Sequence, residues 1–369
     1  MRRPLPVRAR TLTFTLTLNL TLAGASLMGV ACTNETLYNP ANGSSASSPA
    51  EDTVEQGLEA LQNFCGNGKC DHHETCSTCA ADCGTCPPPP PPVTACNSTG
   101  APPAAYQHIV IFSFENRTWS NVGLGFSATT MPYLHSLASG CTYFSDWTET
   151  NTQQNSLTQY IGETSGVDNP NTVNDCNPST TCRSTDNNIF RQVRVAGGTA
   201  RSYVEGATTG CSASGNAAKH IPALYYFGTY TDGTGTHNDH DFCNTEVRPY
   251  GEFDPNNLPT YAFITPTLCN DGHDCGDATV DAWAQANIQP VLDSAAYQAG
   301  TVAVFVWYDE DHPVPNLHIA PTSHAGDITT VGIGTHAALL KTIEDMLGLP
   351  FMNQGQLPGA TDLRSVIGI

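Results

Sequence analysis

Two short runs join a hydrophobic stretch directly to acidic residues, which is where chemistry should be sought. HIVIFSFENRTW (residues 108–119) passes from Ile109, Val110, Ile111, Phe112 and Phe114 into Glu115, Asn116 and Arg117. TVAVFVWYDEDH (residues 301–312) passes in the same way into Asp309, Glu310 and Asp311. Carboxylates and an amide are oxygen donors that suit a divalent cation such as Mg, Ca, Mn or Zn. Acidic groups gathered where buried strands end would repel one another at low dielectric without a cation between them. The two acidic strand ends, Glu115-Asn116 and Asp309-Glu310-Asp311, are therefore expected to converge on one divalent cation. The alternative is a pair of solvated polar turns.

A hydroxyl nucleophile is offered by Ser156, in TNTQQNSLTQYIGETSG (residues 150–166). It stands where a helical pattern starts, so a phosphate beside it would meet free N–H groups and the positive end of the helix dipole. The same residue also fits a plain structural role, because Ser156-Leu157-Thr158-Gln159 has the capping-box pattern. His220 in KHIPALYYF, His273 between Asp271 and Asp274, and His336 in THAALLKTIEDMLGL are candidates to orient a phosphoryl group or to protonate a leaving oxygen. Arg117, beside the acidic pair, could make a two-pronged phosphate contact or an ordinary salt bridge.

Positioning these groups requires strands that bring their carboxyl ends together. Strand patterns occur at 108–114, near 200–204, at 260–265, at 301–307 and around 317–320. Helix patterns fit 130–139, 156–163, 187–195, 278–297 and 335–347. Continuous apolar strands alternating with helices predict an α/β three-layer sandwich around a mostly parallel sheet. Ligands of such sheets bind at the carboxyl ends of the strands, where Glu115 and Asp309 fall.

The chain has 369 residues and a net charge of −20, and its charged residues amount to only 13%. So acidic a protein is a poor partner for nucleic acid or for an anionic membrane surface. Residues 1–31 begin MRRPLPVRAR, continue with an apolar, hydroxyl-rich run and end in small residues before Cys32, as a secretory signal does. Val30-Ala31-Cys32 also suits a lipoprotein signal with a lipid on Cys32, the other reading being simple cleavage nearby. Of 15 cysteines, one is Cys32, six lie between 65 and 86, and eight follow from 96. Lipidation of Cys32 leaves two even sets, as expected for disulfides in an exported protein. Residues 32–64 read as a spacer, 65–86 as a small Cys-rich disulfide module, and 87–103 as a Pro-rich linker. A zinc site from the Cys-x-x-Cys pairs and His72/His73, or calcium on Asp71, Glu74 and Asp82, are the other readings of the module. Residues 104–369 form the remaining domain.

In this order, the motifs of residues 106–369 resemble the bacterial and fungal phosphoesterase family of acid phosphatases and phosphocholine-type phospholipases C, within the alkaline phosphatase superfamily. HIVIFSFENRTW is similar to the family's opening strand, SLTQYIGETSG to its nucleophile segment and KHIPALYYF to its "kHnPa-yf" stretch. LPTYAFITPTLCNDGHDCGD, VFVWYDE and THAALLKTIEDMLGLP follow in family order. The resemblance implies an alkaline phosphatase-like fold and a metal held by Glu115, Asn116, Asp309 and Glu310. It implies Ser156 as a nucleophile forming a phosphoseryl intermediate, with His220, His273 and Asp274 lining the phosphate pocket and His336 near it. The family's His-Pro before the nucleophile and Pro-Asn after it are here Gln154-Asn155 and Thr158-Gln159, which leaves Thr152 and Thr158 as alternative nucleophiles. The expected activity is that of an exported phosphomonoesterase. The alternatives are a phospholipase C-type phosphodiesterase and a surface binding protein with a decayed site. Cys176/Cys182 and Cys269/Cys275 are plausible disulfide pairs.

Overall fold

The two apolar runs that end in acid are the central strands of one sheet. β1 (His108–Phe114) and β8 (Val302–Tyr308) pair in parallel, His108 opposite Val302 and Phe114 opposite Tyr308. All seven residues of β8 and six of β1 are buried, which is why neither run alternates with polar residues. The matched register brings the next residues, Glu115 and Asp309, out of the sheet at the same level.

In a computed structural model, the described residues are 81, 95, 96, 99–119, 126–151, 155–206, 210–213, 218–328 and 333–369. The chain divides into two compact units, residues 1–86 and 87–369. The signal segment, Cys32, the spacer and all but residue 81 of the Cys-rich module lie outside the described residues. Among the described residues, no helix is long and apolar enough to cross a membrane.

The sheet of the second unit has eight strands in the order β10-β2-β9-β8-β1-β7-β3-β6. The added members are β2 (Thr142–Trp147), β3 (Ala200–Val204), β6 (Val247–Pro249), β7 (Tyr261–Thr265), β9 (Val314–Ile319) and β10 (Gly326–Asp327). Only β9 runs antiparallel to its neighbours, so the sheet is mostly parallel as expected. A separate hairpin is formed by β4 (Thr229–Asp232) and β5 (Gly235–Asn238).

Helices cover both faces of the sheet. Phe112 and Phe114 meet Trp283 of the helix Asp277–Leu292 on one side. Phe263 and Trp307 meet Tyr160 of the helix Ser156–Ser165 on the other, where the helix His336–Met346 also packs. The result is the three-layer α/β sandwich. The helix expected over 278–297 is two, Asp277–Leu292 and Ala295–Gln298, because the Ser294 hydroxyl accepts the Tyr297 N–H and caps a new start.

Every cysteine from 96 onward is paired, as Cys96–Cys141, Cys176–Cys182, Cys211–Cys243 and Cys269–Cys275.

Candidate active site

Three chain segments meet at the carboxyl edge of the sheet. The Glu115 N–H donates to the Asp271 carbonyl (2.9 Å) and the Asp309 N–H to the Phe114 carbonyl (3.3 Å). These bonds tie the ends of β1 and β8 to the loop after β7. Asn116 takes a left-handed backbone (φ 52°), a conformation Asn tolerates, and its N–H donates to Asp309 Oδ1 at 3.1 Å. The Asn116 side-chain amide lies 3.5 Å from Glu115 Oε2.

Ser156 is the first residue of a helix whose ten residues are all buried. It does not cap that helix. Asn155 holds the cap position without a side-chain bond, and the Leu157 N–H donates to Asp175 Oδ1 at 3.0 Å. The Ser156 hydroxyl turns instead into the carboxylates, 3.1 Å from Glu115 Oε2 and 3.5 Å from Glu310 Oε1. The Thr158 hydroxyl faces the Thr172 carbonyl, away from this group, and Thr152 lies outside the described residues.

Two buried sets of candidate ligands share Glu115: Glu115–Asp309–Glu310 and Glu115–His220–Asp271. Burial, followed by repulsion from Asp309 and Asp271, holds the Glu115 carboxyl well above the usual carboxylate range. Burial likewise pushes Asp309 up to about 6, Asp271 to about 7 and Glu310, which also faces Asp309, to about 8. The buried atoms Asp309 Oδ2, Glu310 Oε2 and Asp271 Oδ2 have no hydrogen-bond partner. His220 Nε2 lies 3.2 Å from Glu115 Oε1 and its Nδ1 3.4 Å from Asp271 Oδ2, yet neither is aligned for a hydrogen bond. Carboxylates that crowd together with lone pairs unused fit a divalent cation. A third cluster, Cys211–His240–Cys243, offers no thiolates because its two sulfurs are bonded to each other.

The other expected residues divide into two groups. His273 and Asp274 line an open cavity of about 760 Å³ beside the site, with His273 Nδ1 2.7 Å from Asp274 Oδ1. His220, expected in the phosphate pocket, is instead fully buried beneath it, stacked on Tyr160 at 5.0 Å. His336 stands behind Asp309. The indole N–H groups of Trp147 (3.0 Å) and Trp307 (2.9 Å) both donate to its Nδ1, so its Nε2 carries the hydrogen and donates to the Asp309 carbonyl at 2.8 Å. Fully buried, it holds the Asp309 carbonyl in place. Arg117, expected beside the phosphate, faces the helix Asp277–Leu292. Its guanidinium is taken up by Asp277 (2.8 Å) and the carbonyls of Asn116 (2.8 Å) and Cys275 (3.1 Å), so it fastens the β1 loop to the helix Asp277–Leu292.

Four further residues belong to the site. Tyr160 donates its hydroxyl to Glu115 Oε1 at 2.6 Å, and Asp271 faces His220. Lys219 Nζ lies 3.3 Å from Ser156 Oγ and 3.1 Å from Asp175 Oδ2. Burial alone would lower the Lys219 pKa, but Asp175, Glu115 and Asp309 outweigh it and keep the ammonium charged. Three of the four stand near expected residues in the sequence, although their direction could not be read there. Tyr160 is one helical turn from Ser156, Lys219 precedes His220, and Asp271 lies in the NDGHD run.

The chain is similar to known proteins. The model of the phosphoesterase family matches residues 114–340, which run from the end of β1 into the helix His336–Met346. The chain belongs to the phosphoesterase family. As a phosphoesterase it is a hydrolase of phosphoester bonds. It is 27% identical over 263 residues to a phosphatidylinositol-3-phosphatase of Mycobacterium tuberculosis, a match spanning 66% of this chain and 78% of that one. Over 101 residues it is 30% identical to a probable acid phosphatase of Kluyveromyces lactis, spanning 27% of this chain and 22% of that protein. Among solved structures, a Vibrio parahaemolyticus protein of the alkaline phosphatase superfamily aligns with a TM-score of 0.49 and 12% identity, covering 71% of this chain and 72% of its own.

Proposed function

We propose that this phosphoesterase is an exported, metal-dependent phosphomonoesterase that works through a phosphoseryl intermediate on Ser156. The observation that carries the reading is the direction of the Ser156 hydroxyl, which is set among Glu115, Glu310 and Lys219 instead of capping its own helix. The phosphatase names of both curated relatives favour monoesters over the diesters of a phospholipase C. Export is supported by the signal-like residues 1–31 and by the four disulfides of the folded unit. The composition of residues 28–32 supports a lipid on Cys32, which would leave the chain anchored at the cell surface.

Glu115, Asn116, Asp309 and Glu310 would hold a divalent cation, with Asp271 and His220 completing the second buried set around Glu115. When bound, such a cation offsets the carboxylate charge and favours the alkoxide form of a neighbouring hydroxyl. Ser156 Oγ then forms a bond to phosphorus as the ester P–O bond breaks. The hydroxyl releases one proton and the leaving oxygen takes one up, so the step is neutral in protons. His273 lines the cavity with its Nδ1 held by Asp274 and is the histidine best placed to give that proton. Water attacks phosphorus, the P–Oγ bond breaks and phosphate leaves, and the proton given up by the water returns Ser156 to its hydroxyl form.

The test is to assay the purified chain on a phosphomonoester and a phosphocholine diester, with and without chelator, beside Ser156→Ala. Monoester turnover that is lost on chelation, and reduced by several orders of magnitude in Ser156→Ala, is expected. A preference for the diester would replace the monoesterase reading by the phospholipase one. Substantial turnover in Ser156→Ala would remove the nucleophile assignment.

A further inference from the structure

We propose that Lys219, steered by Asp175, supplies the single cationic side-chain contact to the phosphoryl group at Ser156, and that this one-cation cavity restricts the enzyme to esters whose alcohol brings no second phosphate into it. The inference rests on the phosphatase reading above and deepens it by naming the substrate class.

Lys219 is fixed from two sides. It belongs to the turn Ala218–His220, whose last carbonyl accepts the Thr265 hydroxyl at the end of β7 (2.8 Å). Its ammonium is held by Asp175, whose other oxygen accepts the Leu157 N–H in the first turn of the Ser156 helix. One carboxylate thus sets the distance between the lysine and the helix that carries Ser156. Asn174 and Asp175 both take left-handed backbones (φ 62° and 50°), a conformation that Asn and Asp adopt more readily than other residues with a side chain, and this turn presents the carboxylate to both partners.

The charge around Ser156 is one-sided without Lys219. Glu115, Asp309, Glu310 and Asp271 all approach from the sheet edge, and a phosphoryl group arriving at Ser156 brings more negative charge. Nine Lys and Arg residues occur from 95 onward, and among the described residues only Lys219 places a nitrogen on Ser156 Oγ. The nearby Arg117 is committed to Asp277. A charged donor aimed at phosphoryl oxygens as charge builds up on them is strong electrostatic catalysis.

The adjoining cavity of about 760 Å³ is large enough for a small alcohol. Among the described residues its titratable lining consists of Lys219 with Asp175 and His273 with Asp274, each basic side chain already beside a carboxylate. The remaining walls include Asn177, Pro178, Ser212, Ala213 and Leu268, which are neutral. A second phosphate on the alcohol would find no unmatched cation among the described residues there and would meet Asp274. A neutral polyol or an aromatic alcohol meets no such penalty.

Two measurements test this on the full chain. The first is calorimetric binding of inorganic phosphate to Ser156→Ala, with and without Lys219→Met. That background does no chemistry, so it reports Lys219 independently of turnover. We expect the added Lys219→Met to weaken phosphate binding at least about tenfold. The second is kcat/KM on glucose 6-phosphate and glucose 1,6-bisphosphate for the wild type, Lys219→Arg and Lys219→Met. Lys219→Met should lose about 10²–10³ in kcat/KM, with melting temperature and bound metal unchanged, and Lys219→Arg should recover part of the loss. The wild type should favour the singly phosphorylated sugar at least about tenfold. Unchanged phosphate binding in Lys219→Met, or equal turnover of the two sugars, would overturn the inference. A wild type without turnover on either ester would strike at the phosphatase reading, while the calorimetry still decides Lys219. Should Lys219→Met fail to fold, Asp175→Asn releases the ammonium from its guide. That change should raise KM and weaken phosphate binding, and no shift in either would equally overturn it.

Discussion

At the scale of single residues, what separates a chemical role from a structural one here is the direction of a hydrogen bond. Ser156 and His336 both sit in the first turn of a helix, and the sequence alone gives each a structural and a chemical reading. The structure sends them opposite ways. Ser156 turns from its helix toward carboxylates, while His336 accepts two indole N–H groups and donates to a backbone carbonyl. Burial holds the His336 pKa down to about 4, so the ring stays neutral through the physiological range. His336→Ala should therefore leave two indole N–H groups and the Asp309 carbonyl unpaired, costing about 3 kcal/mol or more. His336→Gln, which keeps an acceptor and a donor, should lose less stability and retain measurable turnover. Denaturant unfolding of the two variants checks the order, and equal stability would mean that the indole bonds contribute little. The candidate ligands stood out in the sequence because polar groups at the end of an apolar run are unusual. Asp271 and Lys219 were not assigned, because a lone acid or lysine in a loop gives no sign of which way it faces.

At the scale of elements, strands with a continuous apolar pattern were legible to within a residue or two, since burial on both faces leaves no polar positions to blur them. β2 was missed because Ser145 and Asp146 interrupt it, and β9 was placed late because Pro315 falls where its ladder with β2 shifts register. What the sequence could not show is how closely the Ser156 helix packs against the loop after β2. A Cβ on Gly162 would lie 1.8 Å from Thr150 Oγ1 and 2.6 Å from Thr150 Cβ. Alanine is the better helix former by about 1 kcal/mol, so propensity alone predicts that Gly162→Ala stabilises. Overlap at this distance outweighs that gain. Gly162→Ala should destabilise by about 1–3 kcal/mol and lower kcat, since the helix it displaces carries Ser156. Adding Thr150→Gly should restore part of both losses, and a double-mutant cycle gives the coupling. A Gly162→Ala protein more stable than the wild type would show that the helix has room to move.

At the scale of the whole molecule, an acidic chain has gathered four of its carboxylates, Glu115, Asp271, Asp309 and Glu310, into one buried group, and the consequence is a stability that depends on pH and cation together. Each of these groups has a folded-state pKa raised above its ordinary value, with Asp309, Asp271 and Glu310 at about 6, 7 and 8. The folded state thus binds more protons than the unfolded one. The contribution from the neutral acids is fully present below about pH 4, and it is lost as pH rises through the folded values of about 6 to 8. A bound divalent cation reverses the trend, because it favours the ionised acids and binds the native state alone. The melting temperature of the chelated protein should therefore fall between pH 5 and 8. The gap between metal-saturated and chelated samples should widen over the same interval. Calorimetric scans at several pH values, in the presence of Mg, Ca, Mn or Zn in turn, measure the gap and show which ion widens it most. Replacing Glu310 by Gln removes the acid with the highest of the three values and should flatten the fall of the chelated protein above pH 7. A gap that stays constant from pH 5 to 8 for every ion would mean that these carboxylates do not hold a metal, and the Ser156 hydroxyl would then need another source of activation.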